Sequence, residues 1–187
     1  MKLGSVRIIA GQNRSRKIIY AESADLRPTP DRVRESLFNI LQNDIPGAAV
    51  LDLFAGTGAF GFEALSRGAE YAVFADKSGD CIGNIKKNTE ALKIPAAKYR
   101  ILHSDYLYTI KMLSGQKFDI IFADPPFGAI DYREMTDALI GNGVVDENGV
   151  IAVETPIETE FEAPKGALIT DTREYGNIKL YFVQKNK

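Results

Sequence analysis

Five short runs in this chain, 49–54, 71–76, 99–103, 118–123 and 150–154, are almost continuously apolar, and helical spacing fills the gaps between them at 59–67, 79–92, 106–113 and 132–140. A strand exposed on one face alternates polar with apolar residues, whereas Val50-Leu51-Asp52-Leu53-Phe54 does not. Such runs belong to a parallel sheet covered by helices on both sides. The pattern restricts the chain to a doubly wound α/β domain, whose ligands sit beyond the carboxyl ends of the strands. Near the end, Ile178, Leu180 and Phe182 alternate with Lys179 and Tyr181, which predicts an antiparallel strand with one exposed face. The expected architecture is a mostly parallel central sheet, an antiparallel C-terminal strand, and a small N-terminal β-hairpin and helix.

That N-terminal part has its own chemistry. Residues 6–10 and 14–20 read as two short strands around the polar turn Gly11-Gln12-Asn13. Arg27-Pro28-Thr29-Pro30-Asp31 then predicts a helix start, with Thr29 as N-cap and Pro30 at the first helical position, and Pro46-Gly47 predicts its end. The formal net charge of the chain is -2, yet residues 1–34 hold eight Lys/Arg against three Asp/Glu. The basic residues Arg7, Arg14, Arg16, Lys17, Arg27, Arg32 and Arg34 therefore mark the front as the place for a polyanion, while the remainder is acidic. A solvated charged face is the alternative reading of the same arginines. At 187 residues one compact unit is expected, with residues 1–45 as the basic arm and helix and 46–187 as the core. The single cysteine, Cys81, and single histidine, His103, give no disulfide and no metal-ligand cluster. The lack of a signal-like N-terminus or a bilayer-length apolar run leads to the expectation of a cytoplasmic protein without membrane contact.

Carboxylates recur where the strands end. Asp52-Leu53-Phe54-Ala55-Gly56-Thr57-Gly58 supplies glycines that let the backbone turn tightly and approach a ligand before a helix begins. With Asp76 following at the distance of a ribose-binding acid, this spacing also suits a nicotinamide or flavin enzyme. Asp52 separates the two readings, because a carboxylate there would repel a pyrophosphate. It would attract the ammonium and sulfonium of S-adenosylmethionine instead. Asp105, ahead of Tyr106, reads equally well as an acceptor for the adenine amine or as a helix N-cap. The expected cofactor-binding set is Asp52, Phe54, Gly56, Thr57, Gly58, Asp76, Lys77, Asp105 and Tyr106, with no metal.

The most informative segment is the buried run that ends in Asp124-Pro125-Pro126-Phe127. Two prolines cannot extend a central strand, and Pro125 biases Asp124 toward extended backbone, which yields a stiff loop with an acid at its base. Prolines that merely end a strand would explain neither Asp124 nor Phe127. An exocyclic base amine is a poor nucleophile because its lone pair is delocalised into the ring. Asp124 and a proline carbonyl can accept its hydrogens while Phe127 stacks on the base, so rate would come from positioning and electrostatics. The target base must be splayed out or unpaired to reach such a loop.

These motifs together resemble the RsmD family of bacterial small-subunit ribosomal RNA guanine-N2 methyltransferases, over nearly the whole chain. The resemblance is carried by Arg7-Ile8-Ile9-Ala10-Gly11 and Arg14-Ser15-Arg16-Lys17, by Arg27-Pro28-Thr29 with Asp31-Arg32-Val33-Arg34-Glu35, and by Asp52 to Gly58. Glu63-Ala64-Leu65-Ser66-Arg67-Gly68-Ala69, Asp124-Pro125-Pro126-Phe127 and Tyr175-Gly176 complete it. Ser15 departs from the family's usual glycine, Thr57 from serine and Asp76 from glutamate. The resemblance implies a Rossmann-like class I fold, S-adenosylmethionine as cofactor, and methylation of one guanine N2 in small-subunit rRNA, within partly or fully assembled subunits; separately, a monomer is expected. DNA-base or protein-amide methylation, a nicotinamide oxidoreductase, and a non-catalytic RNA-binding domain are the alternatives.

Overall fold

The computed structural model describes residues 2–21 and 28–186. A two-stranded antiparallel hairpin, β1 (Leu3–Arg7) and β2 (Lys17–Ala21), leads to helix α1 (Asp31–Ile40). Then follow β3 (Ala49–Asp52), α2 (Ala59–Ser66), β4 (Tyr71–Asp76), α3 (Gly79–Ala91), β5 (Tyr99–His103), α4 (Tyr106–Met112), β6 (Phe118–Ala123) and α5 (Tyr132–Gly141). Three long strands close the chain: β7 (Val145–Pro156), β8 (Ala167–Tyr175) and β9 (Ile178–Lys185).

The main sheet has the order β5-β4-β3-β6-β7-β9-β8, with β3 to β7 parallel and β9 antiparallel to both its neighbours. Two apolar clusters cover its faces. One joins the hairpin, α1, α2 and α3 through residues such as Ile8, Ile18, Phe38, Phe62 and Ile85. The other holds the α4 and α5 side, including Ile110, Met135 and Leu139. At one end of β6, Phe122 packs against Phe38 and Phe60 at centroid distances of 5.2 and 5.1 Å. Each such ring pair adds about 0.5–1.5 kcal/mol beyond its buried area, so the strand that ends at Asp124 is well braced.

The structure changes several expectations. The half-exposed C-terminal strand is instead central: β9 lies between β7 and β8 and is buried on both faces from Ile178 to Val183. Its polar members survive burial because they are satisfied, the Lys179 ammonium by Glu160 and Glu174 and the Tyr181 hydroxyl by the Thr159 carbonyl. The alternating edge strand is β8, which no sequence signal indicated. Helix α1 ends at Ile40, with a turn rather than helix leading to Gly47. Thr29 does not cap it: Pro30 is the N-cap, without a side-chain bond, and the Thr29 hydroxyl points elsewhere. The hairpin strands are displaced by about three residues from the predicted runs, because 8–16 form a turn tied to α2 instead.

That tie explains the segment Glu63-Ala64-Leu65-Ser66-Arg67. The Glu63 carboxylate is fully buried, accepts the backbone N–H of Ile9 and Ala10 at 2.7 and 3.0 Å, and pairs with Arg67 at 2.7 Å. Ser66 donates to the Ala10 carbonyl and accepts from the Asn13 N–H. On the other side, the Asn88 side chain bonds both the N–H and the C=O of Ile19. The arm is therefore docked on two helices of the core by buried polar groups. Ser15 sits at φ 68°, the left-handed conformation for which glycine is the unstrained residue.

Candidate active site

The five parallel strands present one row of carboxyl groups at their ends: Asp105 follows β5, Asp76 ends β4, Asp52 ends β3, Asp124 follows β6, and Glu154 lies near the end of β7. Sequence reading singled out the first four. Glu154 closes the last apolar run just as Asp76 closes its own, and that position was the signal to follow.

Gly56 and Gly58 both take positive φ, 50° and 79°, and a Cβ on Gly58 would lie 2.7 Å from the Phe62 ring. Only glycine fits there. Gly58 is the N-cap of α2 and offers no side-chain cap; Asp52 takes the N–H of Gly61, and the Ala59 and Phe60 N–H groups ahead of it have no partner among the described residues. Asp76 shapes the loop by accepting the Gly56 N–H at 2.7 Å and the Ser78 N–H at 2.8 Å. Asp52 is 1% exposed and accepts the Gly61 N–H at 3.0 Å. Burial, outweighing that bond, pushes its carboxyl up to about 7, and the charges of Asp124 and Asp76 act in the same direction. Thr57, in the same loop, is also buried.

Asp105 is the N-cap of α4 and accepts the Leu107 N–H at 2.9 Å, so one of its oxygens serves the helix. Phe54 and Tyr106 pack with centroids 5.4 Å apart and form an aromatic wall between the ends of β3 and β5. Lys77 is exposed, and its carbonyl is in hydrogen-bond contact with His103. The open helix start, the glycine cradle and the acid row fit a ligand that brings positive charge and an adenosine. They do not suit a pyrophosphate.

Asp124 is tied to the N-terminal segment by a 2.8 Å hydrogen bond from the Thr29 hydroxyl to Oδ2. Burial holds its carboxyl above the ordinary carboxylate range, and the Thr29 bond opposes the shift. Pro125 is buried, Pro126 is exposed, and the Pro126 carbonyl accepts the Ala129 N–H at 3.0 Å. The Pro125 carbonyl takes no hydrogen bond from a described residue, and Phe127 is 50% exposed. A free acceptor pair with an aromatic ring beside it is thereby assembled at the strand end. Thr29 belongs to this site and was missed because a threonine before a proline reads as a helix cap.

The basic front divides into two groups. Arg14, Lys17 and Arg32 are exposed, and Arg7 is exposed while paired with Asp31 at 2.7 Å. Arg34 is fully buried on α1, bonded to Asp31 and to the Arg7 carbonyl, and is thus a fastener of the arm rather than an RNA contact. Arg16 bonds the Leu92 and Ala91 carbonyls at the end of α3, where a cation satisfies the helix terminus. Arg27 lies outside the described residues. Among the described residues no cluster of potential ligands could hold a metal ion, and no helix is long and apolar enough to cross a membrane.

A seven-stranded sheet of this order, with its antiparallel β9 and a glycine cradle under an acid row, is the fold of the S-adenosylmethionine-dependent methyltransferases. Comparison with known proteins narrows the class. The chain belongs to the RsmD family: the family model described as "Conserved hypothetical protein 95" matches residues 6–184. The Ribosomal RNA small subunit methyltransferase D of Haemophilus influenzae is 35% identical over 182 residues, covering 97% of this chain and 94% of its own. The protein of the same name from Escherichia coli is 40% identical over 155 residues, covering 83% and 77%. Among solved structures, the yhhF methyltransferase of Escherichia coli superposes with a TM-score of 0.88 at 34% identity, over 97% of this chain and 98% of that one. A Thermus thermophilus 16S rRNA N2 G1207 methyltransferase in complex with AdoMet and guanosine shares the fold at a TM-score of 0.73 and 21% identity, over 99% of this chain and 50% of that one.

Proposed function

We propose that the protein transfers a methyl group from S-adenosylmethionine to the exocyclic N2 of a guanine in small-subunit ribosomal RNA, acting as a cytoplasmic monomer on partly or fully assembled subunits. The observation that carries this reading is the end of β6, where the Asp124 carboxylate held by Thr29, the open Pro125 carbonyl and the exposed Phe127 ring follow one another along the loop. The family relationship adds the substrate, because the relatives at 35% and 40% identity are named for small-subunit rRNA.

The cofactor supplies a methyl group on positively charged sulfur. Gly56, Thr57 and Gly58 with the open start of α2 would hold its amino-acid end, Asp52 adds negative potential beneath it, and Asp76 with the Phe54–Tyr106 wall would hold the adenosine. Asp124 and the Pro125 carbonyl accept the two hydrogens of the target amine and turn its lone pair outward, while Phe127 stacks on the base. Fixed acceptors of this kind are worth several kcal/mol in a water-poor site. Arg7, Arg14, Lys17 and Arg32 contact phosphate and set the orientation of the RNA, leaving base choice to the pocket. The test is Asp124→Ala assayed with labelled cofactor on small subunits from cells that lack the enzyme. Methyl transfer should fall at least 1000-fold while calorimetry still shows cofactor binding; near-normal turnover would refute the assignment. The same assay on DNA and protein extracts separates the alternative substrates.

A further inference from the structure

Glu154 has no part in the mechanism just given, yet its surroundings are unusual for a surface acid. It is 5% exposed, and its Oε2 has no hydrogen-bond partner among the described residues. A buried carboxyl oxygen without a partner is costly and calls for a reason. Register supplies its location: Ala123 on β6 pairs with Val153 on β7, so Asp124 and Glu154 are the next residues of two adjacent parallel strands. Phe122 and Ala152 face the α1 side, whereas Ala123 and Val153 face the α5 side. The alternation of strand side chains therefore brings both acids to the α1 side. Thr29 enters from that side, 7% exposed, with its hydroxyl on Asp124 Oδ2 and within influence of Glu154.

We propose that Glu154 and Thr29 are positioning residues of the methyl transfer: Asp124 and Glu154 share one proton across adjacent strand ends, Thr29 fixes the second oxygen of Asp124, and Asp124 takes the proton that the amine releases. This rests on the proposed guanine-N2 reaction. Two carboxyls on adjacent strand ends, one of them buried, resist ionising together, and the pair titrates as a unit. Glu154 keeps the proton because it is the deeper of the two and lies beside the Asp124 charge; burial and that charge both hold it above the ordinary range. The other groups that bear on the pair are the Tyr132 hydroxyl from α5, raised by burial and by both acids, and Asp52 from β3. Lys179 on β9 is engaged with Glu160 and Glu174, and Arg34 on α1 with Asp31.

The step balances without a further reactant. The N2–CH3 bond forms as the S–CH3 bond breaks, and its electron pair stays on sulfur as a neutral thioether. The extra proton on N2 passes to the free oxygen of Asp124. The pair, which began with one proton and one negative charge, ends neutral with two protons and returns one to water as the product leaves. When the pair instead loses its last proton at high pH, two like charges repel and displace the Asp124 oxygen from the amine.

The test is the pH dependence of kcat, between pH 5.5 and 9.5, for wild type, Glu154→Gln, Thr29→Val and Thr29→Ser on small subunits from cells lacking the enzyme. Wild type should show a bell. Glu154→Gln, a permanent mimic of the protonated acid, should lose the alkaline limb of the bell and keep the acid limb. Thr29→Val should lower kcat about tenfold at unchanged KM and cofactor affinity, with Thr29→Ser restoring it. A Glu154→Gln profile that superposes on wild type, a folded Glu154→Gln that is inactive at every pH, or a Thr29→Val with wild-type kcat would overturn the inference. Failure of wild type to methylate small subunits would instead overturn the function on which it rests.

Discussion

Asp52→Asn isolates the electrostatic strain beneath the cofactor loop. The wild-type carboxyl is 1% exposed and raised from 3.8 to about 7 by burial first, with Asp124 and Asp76 adding to the shift. A carboxyl raised on folding binds its proton more tightly in the folded state. Its contribution is thus fully present below the unfolded value near 3.8 and is lost as pH rises through about 7. The whole shift corresponds to about 4 kcal/mol at 1.36 kcal/mol per unit, and more than half of it falls between pH 5 and 8.5. Asparagine retains an oxygen for the Gly61 N–H and cannot ionise. The variant should therefore gain on wild type with increasing pH, and the raised acids that do not interact with Asp52 cancel in the comparison. Thermal unfolding of both proteins at a series of pH values reads this directly, with the Tm gap widening by about 5–10 °C from pH 5 to 8.5. A gap constant with pH, or one that narrows, would show that Asp52 titrates normally and would remove the argument for a charged partner above it.

Three further expectations concern the arm. Arg14→Ala should weaken RNA binding and reduce the slope of log affinity against log salt by about 0.7–0.9, one phosphate's worth, measured by filter binding. Arg16→Ala should leave that slope unchanged and lower stability by about 1–2 kcal/mol, because the end of α3 loses its cation; denaturant melts check it. Ser15→Gly should raise stability by a net of about 0.5–1 kcal/mol in the same melts, since φ 68° is strained for serine.

The α/β class and four of the acid row were legible because each depends on local pattern: apolar runs mark covered strands, and a glycine loop marks a strand-to-helix turn. Asp105 was ambiguous in sequence, and the structure gives it a capping bond. What was not legible depends on contacts between distant residues. Thr29 meets Asp124 across 95 positions of sequence, and Glu63 meets Ile9 across 54. Net charge located a basic front, but it could not separate Arg14, which reaches solvent, from Arg34, which lies in the core. The same holds for β9, where the alternation of Lys179 and Tyr181 with apolar neighbours imitates an edge strand. Only the Glu160 and Thr159 partners reveal why polar groups are tolerated inside.

The docking of the hairpin on Glu63, Ser66 and Asn88 has a consequence for target selection. A loose basic tail could drape over many RNA surfaces and would lose conformational freedom on each. Here the hairpin that carries Lys17 is fixed to two helices of the core, and Thr29, just ahead of α1, holds the carboxylate of Asp124. If the proposed function holds, the protein acts as a gauge with two points, and only an RNA whose phosphates and extruded base match that separation touches both at once.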